Sequence, residues 1–245
     1  MKQPIYLSIN VDHVANIREA RAVRYPDPVH IGLQAELAGA DGITMHLRKD
    51  RRHIQDHDIN RFVSSAQTKL NLEIAPTAEM VAHALKFAPK SVCLVPGNRQ
   101  EHTQVTGIDV QRNSAELQEY VETLQTAGIS CSLFIDPIES QIETTARIGA
   151  ATVELNAGYY SATTNALERS TELSKIISSC DYAFSLGLAV NAGHGLHYDN
   201  VQPIAEIESI NELGIGHSVI ARALYTGIPT AVAKMKRLMV EARHR

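Results

Sequence analysis

The chain has 245 residues, 44% of them hydrophobic, with 23 Lys and Arg against 27 Asp and Glu for a formal net charge of −4. That length supports one large core and is close to the usual length of an eight-stranded α/β barrel, while the mild acidity argues against a nucleic-acid coat or an anionic membrane surface as partner. Cys93, Cys131 and Cys180 are odd in number, far apart and free of any C-x-x-C spacing, which argues against a disulfide framework or a structural zinc site.

The first residues, MKQPIYLSINVDH, lack a signal-peptide core, and no apolar run is long enough to span a membrane. With the cysteines read as reduced thiols, a cytoplasmic location is expected. Strands are predicted at 5–11 (IYLSINV), 42–47 (GITMHL), 70–75 (LNLEIA), 91–95 (SVCLV), 130–135 (SCSLFI), 152–156 (TVELN) and 187–192 (GLAVNA), with a weaker one at 210–215 (INELGI). They read as mostly apolar on both faces, the pattern of strands held between a core and covering helices. Helices are predicted between them at 28–38, 56–68, 77–87, 112–126, 138–148, 163–180 and 201–208, with a last one at 228–243. In DPIES, Asp136 reads as an N-cap, Pro137 as the first helical residue and Glu139 as a first-turn acid. Gly39, Gly128, Gly149 and Gly214 each stand where a helix would end before the next strand. This alternation predicts right-handed crossovers and a closed (β/α)8 TIM barrel over residues 1–245 as one domain, with a doubly wound open sheet as the alternative. The long polar loop from Pro96 to Val110 is a candidate lid.

Chemistry-bearing residues gather after the strands. Asn10, Asp12 and His13 follow the first, His46 and Arg48 the second, and Glu73 sits in the third. The fourth leads to the loop with Thr103, the sixth carries Glu154 and Asn156, and the seventh ends in NAGHG with His194. In a parallel barrel these positions share the rim where barrel enzymes place their sites. The stretch GITMHLRKDRRH adds two His, three Arg and one Lys between His46 and His53, which points to a small, specific anion. Each residue also has a structural reading: His13 as a turn cap, His46 as a core histidine, Arg51 and Arg52 as partners of acids, Asp136 as a cap outside the site. A carboxylate inside LNLEIA is costly unless paired or functional, which favours a functional Glu73. The turn GIGHS, followed by VIARAL, predicts a short helix whose first N–H groups, at Gly216, His217 and Ser218, could hold a phosphate, and NAGHG is a second such turn. No H-x-H or H-E-x-x-H spacing suggests a metal, and no Lys ends a strand to form a Schiff base. Acid–base chemistry by His and Glu on phosphorylated ligands, with no cofactor, is what remains. A phosphosugar isomerase or aldolase of this fold, or a non-enzymatic phospho-ligand sensor, is the competing reading.

NVDHVANIREAR with YPDP, GADGITMHLRKDRRHI, LNLEIA, CLVP, RQE, NAGHGL and IGHSVIARAL together resemble the pyridoxine 5′-phosphate synthase family along nearly the whole chain. The resemblance implies a barrel with extra helices, a homo-octamer, and condensation of 1-deoxy-D-xylulose 5-phosphate with 3-amino-2-oxopropyl phosphate. The products implied are pyridoxine 5′-phosphate, phosphate and water, without a metal or organic cofactor. It implies contacts of Asn10 and Arg21 with the aminoketone phosphate, and of Asp12, His13, Arg48, His53 and Thr103 with the deoxyxylulose phosphate. His46 and Glu73 resemble its proton acceptors, His194 its proton donor, and Glu154 the group that stabilises charge in the transition state. Gly195, Gly216 and His217 resemble a second phosphate cradle. The chain departs from the family pattern at PGNRQE, QVTGID and ELNAG, the last standing where His-Thr-Gly is often found.

Overall fold

The computed structural model describes residues 2–97 and 106–245. Strands β1 (Tyr6–Asn10), β2 (Gly42–His46), β3 (Lys69–Ile74), β4 (Ser91–Leu94), β5 (Ser130–Ile135), β6 (Thr152–Asn156), β7 (Ala189–Gly193) and β8 (Ile210–Ile215) pair in parallel in chain order, and β8 returns to β1. The ring is closed, so the open-sheet alternative falls. Around it run α1 (Asp12–Glu19), α2 (Pro28–Leu37), α3 (Asp56–Ser65), α4 (Ala78–Phe87), α5 (Ser114–Thr126), α6 (Glu139–Arg147), α7 (Gly158–Ala162), α8 (Ala166–Ser185), α9 (Val201–Ala205), α10 (His217–Thr226) and α11 (Ile228–Arg243).

The strands are not apolar on both faces. Leu7, Ile9, Ile43, Met45, Leu72, Ile74, Leu133, Ile135, Val153, Leu155 and Leu213 are fully buried in the core that the sheet shares with the helices. Alternating with them are Ser8, Thr44, Asn71, Glu73, Ser132, Glu154 and Glu212, all buried. These polar residues line the inside of the ring, as their contacts show. Lys69 reaches Glu212 at 2.6 Å although β3 and β8 are not sheet neighbours, and Ser8 Oγ lies 2.8 Å from Thr44 Oγ1. Period two places alternate residues on opposite faces, so the hydrophobic core is a sleeve outside the barrel. Inside, Cys93, Val95 and Phe134 form a separate small apolar cluster.

Local chemistry sets most boundaries. Asp27 caps α2 by accepting from Val29 N–H with Pro28 at the first position, Thr77 caps α4 and Asn165 caps α8. Gly39, Gly128 and Gly149 have the positive φ that ends a helix before the next strand. Gly214 does not: it lies within β8. Asp136 does not cap α6 either, because that helix starts at Glu139 after an extended Ile138. Its carboxylate accepts instead from Gly107 N–H and Asn156 Nδ2. Helices α1 and α7 escaped the sequence reading. Only Val11 separates β1 from α1, so no loop signal announces that helix, and α7 is a single short turn.

The N-terminal end of the barrel is closed by fully buried Arg243 on α11, whose guanidinium donates to the carbonyls of Gln3, Ala205, Ile207, Glu208 and Ile210. All three cysteines are free and buried, and burial pushes the Cys131 and Cys180 thiols up to about 12, so both stay protonated. Among the described residues no helix is long and apolar enough to cross a membrane.

Candidate active site

The rim begins where β1 runs into α1. Asn10 and Asp12 bind each other: Asn10 Oδ1 accepts from Asp12 N–H and Asn10 Nδ2 donates to Asp12 Oδ2, each at 2.9 Å. The other Asp12 oxygen accepts the backbone N–H of His46 at 2.8 Å, joining the end of β1 to the end of β2. His46 stands opposite Glu73 in the β2–β3 register, and its Nδ1 lies 3.9 Å from Glu73 Oε2. The His53 ring meets the His46 ring edge-on at 5.9 Å. Asp12, His46, His53 and Glu73 are all less than 10% exposed. Three chain segments thus bring two carboxylates and two imidazoles to one place, with Arg48 half-buried beside them.

The loop that carries Arg48 and His53 is held from below. Buried Arg18 on α1 makes a bidentate salt bridge to buried Asp58, donating one hydrogen bond of 2.8 Å to each carboxylate oxygen, and donates to the His53 carbonyl at 2.9 Å. Asp58 also accepts Gln55 N–H in a capping box at the start of α3. Arg51, with φ 52, folds back to donate to the Arg48 carbonyl and pairs with Asp56. Much of the positive charge in this stretch is therefore matched locally. Lys49 pairs with Glu79, and Asp50 pairs with both Arg48 and Arg52. Asp50 is half-exposed and burial alone would raise its carboxyl, but those two arginines hold it down at about 2. His53 adds no charge: burial, reinforced by Arg48, pushes it down to about 4. Its Nδ1 accepts from Ile54 N–H, so the neutral ring carries its proton on Nε2 and offers a donor.

The same tautomer bears on metals. Ligand atoms of Asp12, His46 and His53 lie within 4.8 Å of one another, so the lack of ligand spacing in the sequence did not foretell the spatial grouping. The His53 Nδ1 lone pair already receives an N–H, and its Nε2 carries hydrogen, so this ring is not set as a ligand and the trio does not fit a resident ion.

On the other side, Glu154 rises from β6 into room left by two glycines. A Cβ on Gly193 would sit 2.7 Å from Glu154 Oε1, and one on Gly214 would sit 3.6 Å away. The turn after β7 is left-handed at two successive residues, His194 (φ 75) and Gly195 (φ 77). Such a conformation is uncommon outside glycine and persists where surroundings enforce it. The exposed His194 ring lies against Gly158, where a Cβ would come within 2.8 Å of its Cδ2, and edge-on to Phe134 at 6.4 Å. Gly216 caps α10 and is pressed against β1: its Cβ would meet Asn10 Cβ at 3.0 Å and His13 Nδ1 at 3.3 Å. His13 and His217 meet edge-on at 5.1 Å, and Ser218 Oγ donates to the Leu196 carbonyl, joining this turn to the one after β7. The α10 N-terminus opens beside Asn10 and His13; the Val219 and Ile220 N–H groups are bonded to the Gly216 carbonyl, which leaves the His217 and Ser218 N–H groups as the candidate donors at the helix start.

The structure thus gathers Asp12, His46, His53 and Glu73 in one group and Asn10, His13, Gly216 and His217 in a second. Asn10 joins them, and Glu154, His194 and Gly195 form a third. Arg21 is not brought in: it is exposed in the turn beyond α1, with no hydrogen bond or ion pair to these groups among the described residues. Thr103, and most of the candidate lid, lie outside the described residues. Sequence reasoning missed Arg18 and Asp58, which carry no motif, and set Asp136 aside as a cap.

A family model described as pyridoxal phosphate biosynthesis protein PdxJ matches residues 7–241. A pyridoxine 5′-phosphate synthase of Pseudoalteromonas translucida (strain TAC 125) is 51% identical over 239 residues, covering 98% of each chain. Among solved structures, a thiamine phosphate pyrophosphorylase from Pyrococcus furiosus overlays with a TM-score of 0.63 at 12% identity, covering 97% of this chain and 96% of that one. The phosphoribosylanthranilate isomerase of Thermotoga maritima, in a monomeric form, overlays at 0.61 and 12% identity, covering 98% and 99%. At such identities these two show a common fold and nothing of chemistry.

Proposed function

The chain belongs to the PdxJ family of pyridoxal phosphate biosynthesis proteins, and on that premise we propose that its rim condenses 1-deoxy-D-xylulose 5-phosphate with 3-amino-2-oxopropyl phosphate. The products are pyridoxine 5′-phosphate, phosphate and water. An amine adding to a ketone must lose water, which needs an acid, and closing the ring through a carbon–carbon bond needs a base beside a carbonyl or imine. Several proton transfers at different atoms call for several acid–base groups, each contributing roughly 10²–10⁴ in rate.

The observation that carries the reading is the buried pairing of His46 with Glu73 at the ends of β2 and β3. In this account the pair takes protons, with Asp12 fixing the end of β2 through the His46 N–H. Neutral His53 donates through Nε2, and Arg48 exchanges Asp50 for the phosphate of the sugar-derived substrate, helped by Asp12, His13 and Thr103. Asn10, Gly195, Gly216 and His217 take the aminoketone phosphate, where the α10 N-terminus supplies N–H donors, and Arg21 joins them only when the bound phosphate draws its exposed side chain in from the turn beyond α1. His194 gives a proton to the leaving oxygen, and Glu154 stabilises positive charge that develops near it. Holding both phosphates lets two small substrates meet in one orientation. The whole chain acts as one catalytic domain in the cytoplasm and assembles as a homo-octamer. That assembly is supported by exposed apolar side chains such as Leu37, Leu167, Phe184, Leu224 and Tyr225, each more than half exposed.

The test is to mix the two substrates with the protein and follow pyridoxine 5′-phosphate by absorbance, without added metal or cofactor. Product only when both substrates are present is the expected result. Turnover of the phosphosugar alone would favour an isomerase or aldolase, and binding without turnover a sensor.

A further inference from the structure

We infer that Asn156 and Asp136 are positioning residues for His194, acting through α7; this rests on the role proposed for His194 above. Asn156, 1% exposed at the end of β6, uses both ends of its amide. Its Oδ1 accepts Gly158 N–H at 2.9 Å, which sets the first residue of α7, and its Nδ2 donates to Asp136 Oδ1 at 2.8 Å. The same Asp136 oxygen accepts Gly107 N–H at 3.1 Å. Gly107 is itself locked, since a Cβ there would come within 2.4 Å of Asp136 N and Ile135 Cα. Asp136 is therefore fixed from two sides and gives Asn156 a rigid anchor.

From there the path to the imidazole is short. Gly158, the residue that Asn156 holds, is the wall against the His194 ring, with room for nothing larger. The other end of α7 grips the turn itself. Ser161 packs so close to Gly195 that a Cβ would meet its Cβ at 2.6 Å. Asn200 Nδ2 then donates both to Ser161 Oγ and to the Gly195 carbonyl. A helix of five residues has little stability of its own. Buried Tyr160, whose hydroxyl donates to the Asn200 carbonyl, anchors its middle, while the Asn156 amide sets its first residue. Ser161 Oγ reaches the His194 carbonyl, so the left-handed His194 backbone is held where the Asn156 end places Gly158. A merely structural cap would leave His194 indifferent to it.

Two readouts test this. In the full-length enzyme, Asn156→Ala should lower kcat about 10–100-fold with KM for both substrates within about twofold, because a proton donor is displaced and substrate contacts are not. In a His194→Ala background the same change should alter kcat less than about twofold, since the group through which Asn156 acts is gone. Asn156→His should restore most of the activity, because a neutral imidazole offers one acceptor to Gly158 N–H and one donor to Asp136. If Asn156→Ala does not fold, Asn156→Ser replaces it: the hydroxyl can accept from Gly158 N–H but cannot reach Asp136, and a smaller loss of the same non-additive kind is expected. Multiplicative losses in the double variant, or an Asn156→His as impaired as the alanine variant, would overturn the assignment. The second readout is a crystal structure of the Asn156 variant, in which the His194 ring should have left its contact with Gly158; a ring still seated there also overturns it. That structure needs no substrate, so a wild-type protein that makes no pyridoxine 5′-phosphate defeats the proposed reaction without touching this geometry.

Discussion

The barrel gathers ionisable groups at both ends, and the two ends handle them differently. At the N-terminal end Lys69 and Glu212 meet at 2.6 Å across the ring, and Lys236 bonds both Asp41 and the Ile5 carbonyl. Arg243 there fills its donors with backbone carbonyls. Each of these cations lies close to an oxygen, although Glu212 Oε2 meets the Lys69 ammonium as an ion pair without hydrogen-bond geometry and only Arg243 is fully desolvated. At the C-terminal rim the His46–Glu73 separation is 3.9 Å, too long for a hydrogen bond, and His53 is buried in its neutral form. The lower end is built for closure, whereas the rim keeps groups whose protonation state can change. The same polar alternation along each strand supplies both ends.

The contrast is sharpest in Glu73 and Lys69, two residues on the same face of β3. Glu73→Gln should cut turnover by about 10²–10⁴, the scale of a lost acid–base group, while the thermal midpoint stays near that of the parent and both substrates still bind. Near-normal turnover would make Glu73 a structural carboxylate and return the chemistry to His46 and His194. Lys69→Met should do the reverse. It leaves Glu212 buried without its ammonium and should cost about 1–3 kcal/mol, reduced from a fully buried pair because Lys69 is 36% exposed. Turnover at a temperature where the variant is folded should be unchanged. Removing both partners, Lys69→Met with Glu212→Leu, should recover most of the stability in chemical denaturation. A Lys69→Met protein of full stability but low turnover would mean that the two ends are not divided in this way.

The strands, the order of the barrel and most helix bounds were legible because apolar periodicity, glycine stops and capping residues are local signals. The same locality explains the errors. The inner polar face was hidden because Ser8, Thr44 and Ser132 are small enough to pass for neutral strand residues, and Phe134 and Cys93 broke the alternation on that face. Glu73 was legible as a costly carboxylate inside an apolar strand, and Asp12, His46 and Glu154 as chemistry-bearing residues gathered at strand ends. Their partners were not, because Arg18 and Asp58 lie 40 positions apart and nothing in either neighbourhood marks the pair. Asp136 was misread because D-P before an acid resembles a cap, whereas its bonds run to Gly107 and Asn156, each more than a dozen residues away. In the charge burst after β2, Arg51 and Arg52 pair with acids as their structural reading expected, with Asp50 inside the burst taking part, but Glu79, which matches Lys49, comes from α4 and gave no local sign.

His53 offers the smallest effect and a direct view of how the rim stores a titratable group. Its folded value of about 4 lies below the ordinary histidine value of 6.5, because burial and Arg48 both disfavour the imidazolium. Between those two values the unfolded chain holds a proton that the folded protein lacks, so falling pH pulls the equilibrium toward the unfolded state. The stability that neutral His53 permits is thus fully present above about pH 6.5 and is lost progressively as the pH drops toward 4. The shift limits the effect to about 2–3 kcal/mol over that range. In His53→Asn the amide oxygen can still accept from Ile54 N–H, and nothing at that position titrates. Chemical denaturation of both proteins at half-unit steps from pH 7 to about 4 isolates this residue, because the other histidines contribute equally to both curves. The wild-type curve should fall more steeply than the variant's below about pH 6.5, and the two should run parallel above it. Equal slopes throughout would mean that His53 takes up its proton in the folded state near the ordinary value, and the rim would then carry a positive charge where a neutral donor has been assigned.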